Sequence, residues 1–201
     1  MIRSHPAEAS LLACAAGTLP APHAAVVAVH LAQCPQCRET LRLGEEIGGH
    51  LLESGPSAAL SPRALDDVMA RLDRGPPSPR PAPTLAGLAT GRWRRLGPGI
   101  ELMNLAPRDA GGTRLDLIRV APGIALPRHG HRGAESTCVM QGAFADETGE
   151  YRAGDFAEGD APLIHAPRAL SGEACICIVA TTGRLRPHGL LARIVAPLAG
   201  L

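Results

Sequence analysis

The hydrophobic positions of the chain follow a helical period in its first part and a strand-like period in its second. In the first part, apolar residues recur three and four positions apart. They predict helices from Pro6 to about Leu19, Pro22 to Gln33, Pro35 to about Glu53 and Ser61 to Arg74. Prolines near the starts of these segments suit a first helical turn, where a missing N–H costs no hydrogen bond. The pattern therefore predicts a small domain of about four helices over residues 1–74.

The apolar sides of the last two predicted helices indicate where each should be buried. The expected buried side of the third helix carries Leu41, Leu43, Ile47 and Leu51. The fourth helix has an apolar stripe formed by Leu65, Val68, Met69 and Leu72. We interpret such a stripe as core, and a face offered to a partner is the alternative.

A proline-rich segment separates the helical pattern from the rest of the chain. Residues 75–84 include GPPSPRPAP, with five prolines, and cannot continue a helix or a central strand, so they predict a stiff linker. Short β-forming runs separated by Gly and Pro follow over residues 85–201, with a spacing typical of a sandwich or barrel. The predicted strands are Gly99–Leu105, Thr113–Val120, Ser136–Met140, Gly142–Phe144, Gly154–Phe156 and Ala174–Val179. The predicted fold class is multidomain, α then all-β.

Composition excludes several classes of function. Twenty basic and nineteen acidic residues give a net charge of +1 without a basic block, so we expect no direct nucleic-acid partner. No apolar run approaches the roughly 20 residues that span a membrane. The N-terminus also lacks a signal-peptide pattern, and we therefore expect a cytoplasmic protein without a membrane partner. The six cysteines should then be reduced thiols or metal ligands.

The second predicted helix ends in the sequence VAVHLAQCPQC, which contains His30, Cys34 and Cys37. His30 and Cys34 are four apart and share a helix face, and Pro35 begins a new helix with Cys37 in its first turn. Tetrahedral Zn²⁺ prefers imidazole and thiolate ligands, so this triplet favours a metal site. The triplet supplies three of the four ligands that such a site needs. The alternatives are a buried histidine with two core thiols, or a redox-active Cys-x-x-Cys pair.

A second cluster of potential ligands lies in the β-rich part. His129 and His131 are two apart and share one face of a strand, Glu135 follows four residues later, and His165 stands alone on a later segment. Three imidazoles and a carboxylate could hold Zn²⁺, Fe²⁺, Mn²⁺, Ni²⁺ or Cu²⁺, and the residue types alone do not choose between them.

The segment around these residues resembles the first motif of the cupin fold, Gly-x5-His-x-His-x3-4-Glu-x6-Gly. It matches at every fixed position from Gly123 to Gly142. The second cupin motif is matched more loosely by Gly154, Asp155 and His165, because DAPLI replaces the usual Pro-x-Gly before the histidine. The resemblance implies a cupin β-barrel.

Taken together, the two clusters resemble the ChrR family of anti-sigma factors, in which a zinc-binding anti-sigma domain is joined by a linker to a cupin. The segments that carry the resemblance are LLACAAGTL, VAVHLAQCPQCR, RHGHRGAE and YRAGDFAEGD. It implies that zinc is bound by His5, His30, Cys34 and Cys37. His23 is a chemical rival of His5 but has no counterpart in the family. The resemblance also implies that zinc or another divalent metal is bound in the cupin by His129, His131, Glu135 and His165.

The function that this resemblance implies is transcriptional regulation without enzymatic activity. The helical domain would sequester an extracytoplasmic-function sigma factor, and the cupin would sense oxidative stress, singlet oxygen or organic peroxide, and cause release. The alternative is a dioxygenase-like cupin metalloenzyme with a zinc-binding interaction domain. Against it, no acid–base cluster frames the motif, because we interpret Arg128, Arg132 and Asp146 as solvated charges. A DNA-binding zinc finger is disfavoured by the near-neutral charge and the scattered aromatic residues.

The remaining cysteines carry weaker signals. Cys14 and Cys138 are interpreted as small core residues. Cys175 and Cys177 would share one face of a strand, where they could form an oxidation-sensitive pair or be buried and inert.

Overall fold

A computed structural model describes residues 1–74, 91–160 and 163–188 of the chain. The predicted linker, residues 75–84, lies outside the described residues. The described part begins with the four helices α1 (Glu8–Ala15), α2 (Ala21–Leu31), α3 (Pro35–Glu53) and α4 (Ala64–Leu72). The predicted order of four N-terminal helices followed by a β-rich part is confirmed.

Local sequence explains the sharp junction between α2 and α3. Pro35 is the first residue of α3, where its lack of an N–H is tolerated. Cys34 is the N-cap of that helix, and its sulfur accepts a hydrogen bond from the Cys37 backbone N–H at 3.5 Å. His30 lies in the last turn of α2. The junction therefore places one imidazole and two thiols close together.

Over residues 91–160 and 163–188, the β-rich part forms one large and two small sheets. Its strands are β1 (Arg94–Gly97), β2 (Ile100–Ala106), β3 (Thr113–Val120), β4 (His129–His131), β5 (Glu135–Gln141), β6 (Ala143–Asp146), β7 (Gly149–Arg152), β8 (Phe156–Gly159), β9 (Ile164–His165), β10 (Arg168–Ala169), β11 (Cys175–Thr182) and β12 (Leu185–Pro187). The large sheet has the order β1-β2-β3-β11-β5-β8, and the small sheets have the orders β10-β6-β7 and β12-β4-β9. All neighbouring strands within these sheets are antiparallel.

The large sheet is apolar on both faces. On one face, residues of β3, β5 and β11 pack with α2 in a single cluster that includes Val26, Val27, Leu117, Cys138 and Ile178. The other face encloses the barrel interior together with β6, β7 and β10, in a second cluster that includes Val120, Val139, Phe144, Cys177 and Val179. Since successive strand residues point to opposite faces, each central strand contacts the helices on one side and the barrel interior on the other.

The apolar sides of α3 and α4 are not core, and this corrects two sequence predictions. The side chains of Leu43, Ile47, Leu51, Leu65, Val68, Met69 and Leu72 are between 50% and 71% exposed. Leu41 is half-buried, and no residue of α4 is buried. A helical period shows that a helix is amphipathic, but it does not show what covers the apolar side. Among the described residues, no helix is long and apolar enough to cross a membrane.

Candidate metal centres

The first candidate centre is formed by His5, His30, Cys34 and Cys37, whose ligand atoms all lie within 4.8 Å of one another. His30 Nε2 lies 3.3 Å from Cys37 Sγ. His5 Nδ1 lies 3.4 Å from Cys34 Sγ and 3.3 Å from Cys37 Sγ. These separations approach the roughly 3.6 Å between nitrogen and sulfur ligands of tetrahedral Zn²⁺, calculated from the usual bond lengths. The structure thus brings together the four residues that the resemblance implied.

The protonation of these groups suits a cation. His30 Nδ1 lies 2.8 Å from the Gly154 carbonyl oxygen, which can only accept, so Nδ1 carries the proton and Nε2 has a free lone pair. Burial lowers the pKa of His30 and keeps its ring neutral. Burial, with Cys34 beside it, raises the pKa of Cys37 to about 12. The Cys37 thiolate would therefore need a nearby positive charge, which a metal ion would supply.

His23, the alternative to His5 as a ligand, lies outside the first centre, and both of its ring nitrogens are hydrogen-bonded. Its Nδ1 is 2.8 Å from the Ser136 hydroxyl, and its Nε2 is 2.9 Å from the Thr182 hydroxyl. Both ring nitrogens therefore have partners at the contact between α2 and the large sheet, and neither faces the cysteines.

The second candidate centre lies where strands β4 and β9 pair. The ligand atoms of His129, His131 and His165 lie within 4.8 Å of one another. His131 Nε2 is 3.4 Å from His165 Nε2 and 3.1 Å from Glu135 Oε2. The antiparallel register sets His129 opposite His165. The structure therefore brings the three predicted histidines together, with Glu135 beside His131.

Hydrogen bonds aim two of these rings at the centre. His129 Nδ1 donates to the Pro127 carbonyl oxygen at 2.7 Å, and His165 Nδ1 donates to Asp146 Oδ2 at 2.7 Å. Each ring is thereby left with a free Nε2 lone pair, which is the atom a metal would take. This donor set of imidazoles and one carboxylate fits several divalent metals.

Burial sets the charge of the second centre. It lowers the pKa of His129 to about 4, and it lowers the pKa of His131 to about 3 with help from the neighbouring imidazoles. Burial also raises the pKa of Glu135 to about 7. For His165, burial acts to lower the pKa, but the Asp146 hydrogen bond and the nearby carboxylates raise it. Burial therefore keeps His129 and His131 neutral, whereas the net pKa of His165 is raised. A bound cation would favour the deprotonated forms of His165 and Glu135.

Asp146 is a residue of the second candidate centre that the sequence did not indicate. We interpreted it as a solvated charge, but its side chain is 3% exposed and bonds His165. It comes from β6, nineteen residues before its partner, and no local pattern connects the two residues. Arg132 is exposed and Arg128 forms an exposed ion pair with Glu147 at 3.1 Å, in agreement with the prediction for these two arginines.

An apolar cavity of about 200 Å³ adjoins the second centre inside the barrel. Its walls include Leu102, Ile118, Val120, Phe144 and Val179. The cavity also reaches His129, Glu135, His165, Cys175 and Cys177.

The sulfurs of Cys175 and Cys177, beside this cavity, are buried and lie 3.6 Å apart. Their mutual hydrogen bond lowers the pKa of Cys175 and raises the pKa of Cys177.

The chain is similar to a known protein family and to relatives that cover most of its length. Residues 82–184 match the family described as the ChrR cupin-like domain, which confirms the predicted cupin fold. The anti-sigma-E factor ChrR of Cereibacter sphaeroides is 40% identical over 210 residues, covering 98% of this chain and 97% of the relative. A chain in the crystal structure of Rhodobacter sphaeroides SigE in complex with the anti-sigma ChrR matches with a TM-score of 0.78 and 43% identity, covering 90% of this chain and 100% of that chain.

Proposed function

Because the chain belongs to the ChrR family of anti-sigma factors, as its motifs predicted, we propose that it binds an extracytoplasmic-function sigma factor and withholds it from RNA polymerase. The family groups the chain with regulators rather than with enzymes, in agreement with the sequence prediction. The relative in the solved complex is described as bound to SigE. The partner of this chain would accordingly be a sigma factor of the same class.

The observation that carries this proposal is the uncovered apolar side of α4. Leu65, Val68, Met69 and Leu72 lie on one side of the helix and are each at least 50% exposed. Fully burying one such side chain is worth about 1.5–3 kcal/mol, so four of them favour association strongly. The exposed Leu43, Ile47 and Leu51 of α3 offer a second apolar strip. A sigma factor would cover these surfaces.

The role that we propose for the first centre is structural binding of Zn²⁺ by His5, His30, Cys34 and Cys37. Only Leu11 is buried in α1, and only Cys37 in α3, so packing alone holds these helices weakly. A structural zinc site contributes about 10–16 kcal/mol of apparent binding free energy to folding. Zinc would hold the helix ends together and leave the apolar sides free for the partner.

The role that we propose for the β-rich part is sensing. Residues 85–201 would form a cupin sensor domain that packs against the helical domain of residues 1–74. The protein would act in the cytoplasm. His129, His131, Glu135 and His165 would bind zinc or another divalent metal. Oxidative stress, as singlet oxygen or organic peroxide, would act at this domain and cause release of the sigma factor. The support is the cluster of three imidazoles and one carboxylate beside a cavity, in which His131 and His165 are buried.

The proposal is tested by co-purification with extracytoplasmic-function sigma factors from the same genome. We expect one of them to form a stable complex with the full chain and to lose transcription activity in its presence. Met69→Asp should weaken this complex at least about tenfold, because a charge would be buried in an apolar interface.

The matched control places the same charge on the other side of the same helix. Ala70 is exposed and lies away from the apolar stripe, so Ala70→Asp should bind like the wild type. Wild-type binding by Met69→Asp would show that the apolar side of α4 is not the contact surface, and equal weakening by both variants would show that the effect is not specific to that side. Failure of every sigma factor to bind would refute the anti-sigma function.

A further inference from the structure

The ligands of the first candidate centre are positioned partly by the β-rich half of the chain. The Gly154 carbonyl oxygen accepts the hydrogen bond that fixes the His30 ring. The ring of Phe156 packs edge-on against the same imidazole, with ring centroids 5.6 Å apart. A histidine of α2 is therefore oriented by two residues that lie more than 120 positions further along the chain.

The segment that carries His5 is also held by the β-rich half. Asp155 Oδ1 accepts hydrogen bonds from the backbone N–H groups of Arg3 at 2.6 Å and Ser4 at 3.0 Å. The Phe156 N–H donates to the Ser4 carbonyl oxygen at 3.0 Å. Strand β8 is an edge strand of the large sheet, so the segment adds to an otherwise open edge. We refer to the bonds of Arg3 and Ser4 with Asp155 and Phe156 as the N-terminal contact.

Close packing and burial make this contact specific. Asp155 is 2% exposed, and its second carboxylate oxygen accepts from the Arg152 N–H at 2.8 Å. Gly154 has φ of +93°, and a Cβ there would lie 2.8 Å from Cγ1 of Ile2. A side chain at position 154 would therefore displace the N-terminal segment as well as strain the backbone.

We propose that Asp155 and Gly154 are positioning residues of the helical metal site, so that the cupin half sets how tightly His5 and His30 hold the metal. The inference rests on the proposed metal binding by the His/Cys centre. The two histidines present different nitrogens, His5 Nδ1 and His30 Nε2, so each ring must be held in its own orientation. Loss of a group that orients a ligand typically costs about 10–100-fold in metal affinity.

Metal binding at the first centre and formation of the N-terminal contact must affect each other equally. If the N-terminal contact strengthens metal binding, then metal binding strengthens the N-terminal contact by the same factor. A change in the cupin that moves residues 154–156 would then reach the partner-binding helices through the metal site.

The test uses Co²⁺ as the probe, since a cobalt–thiolate absorption band arises only at the site with cysteines. The full chain and Asp155→Asn are titrated with Co²⁺. The variant should bind at least tenfold more weakly at the thiolate site, whereas Glu173→Gln, which changes an exposed carboxylate of the β-rich half, should match the wild type. Equal affinity in Asp155→Asn would overturn the inference. Absence of a thiolate band in the wild type would instead refute the metal site itself.

A second measurement does not depend on the folding of the Asp155 variant. Hydrogen exchange is compared in the wild type loaded with zinc and in Cys37→Ser. Reciprocity predicts at least tenfold faster exchange of the Ser4 and Phe156 amides in Cys37→Ser, with the Ile178 amide of β11 unchanged. Unchanged protection of Ser4 and Phe156 would contradict the coupling.

Discussion

His23 Nδ1 lies 2.8 Å from the hydroxyl oxygen of Ser136, so a histidine of α2 is hydrogen-bonded directly to strand β5. Its Nε2 reaches the Thr182 hydroxyl at the end of β11. The imidazole is 3% exposed, and a neutral ring with one donor and one acceptor is satisfied by two hydroxyls. The contact between the helices and the large sheet therefore depends on a buried, uncharged histidine.

Replacement of His23 should make stability less dependent on pH. Burial lowers the pKa of His23, although Glu158 and Asp109 act to raise it. As the pH drops below about 6.5, His23 takes up a proton in the unfolded chain before it does so in the folded chain. The free energy of unfolding therefore decreases as the pH is lowered. His23→Gln should cost about 1–3 kcal/mol at neutral pH through lost buried hydrogen bonds. The cost should be smaller in mild acid, as measured by urea unfolding.

Comparing the wild type with His23→Gln isolates the contribution of His23, because the other titrating groups contribute about equally to the pH dependence of stability in both proteins. A cost of substitution that is the same at neutral pH and in mild acid would show that His23 does not titrate differently on folding.

Removal of Asp146 should weaken the cupin metal site. Its carboxylate holds the His165 ring with Nε2 facing the centre. Asp146→Ala should lower metal affinity of the cupin site about 10–100-fold, measured by competition with a chelator and metal analysis. Glu150→Gln, in the exposed part of the same hairpin, is the control and should retain the metal. Retention of metal by Asp146→Ala at wild-type affinity would show that the carboxylate has no such role.

Loss of one thiolate should remove zinc from the helical site alone. Cys34→Ser or Cys37→Ser should lower the zinc content by one equivalent per chain and leave the cupin metal in place. Binding of the sigma factor should weaken as well, because the helix ends are no longer held together by a shared zinc ion. Cys14→Ser changes a cysteine outside the cluster and serves as the control. Metal analysis that finds unchanged zinc in both cluster variants would exclude this site.

Short-range spacing made much of both sites predictable from the sequence. His30, Cys34 and Cys37 converge because a helix ends and another begins within eight residues. His129 and His131 share a face because strand residues alternate. His5 could be assigned only through the family resemblance, since nothing near it in the sequence indicates a ligand.

The features that sequence reasoning missed depend on contacts between distant segments. Asp146 meets His165 only because β6 and β9 lie together in the folded barrel. Gly154 and Asp155 matched a cupin motif, but the motif does not reveal that they hold His30 and the N-terminal segment. The stripe of α4 failed as a core prediction because amphipathicity does not identify the covering surface.

Strand β5 connects the second metal centre to the helices through two adjacent residues. Glu135 Oε2 lies 3.1 Å from His131 Nε2 inside the barrel. The next residue, Ser136, is hydrogen-bonded to His23 on the opposite face. A signal can shift an equilibrium only through a difference in its effect on the two states. A change at the metal that moves β5 would provide such a difference at the contact with α2.

His131→Ala and Glu135→Ala should therefore preserve inhibition of the sigma factor but prevent its release by singlet oxygen or organic peroxide. Inhibition should persist because the exposed apolar sides of α3 and α4 are unchanged. The measurement is sigma-dependent transcription with and without oxidant, with Glu173→Gln as the control. Normal release in both metal-site variants would reject sensing through the metal. The buried sulfurs of Cys175 and Cys177, 3.6 Å apart beside the same cavity, would then be the groups to substitute next.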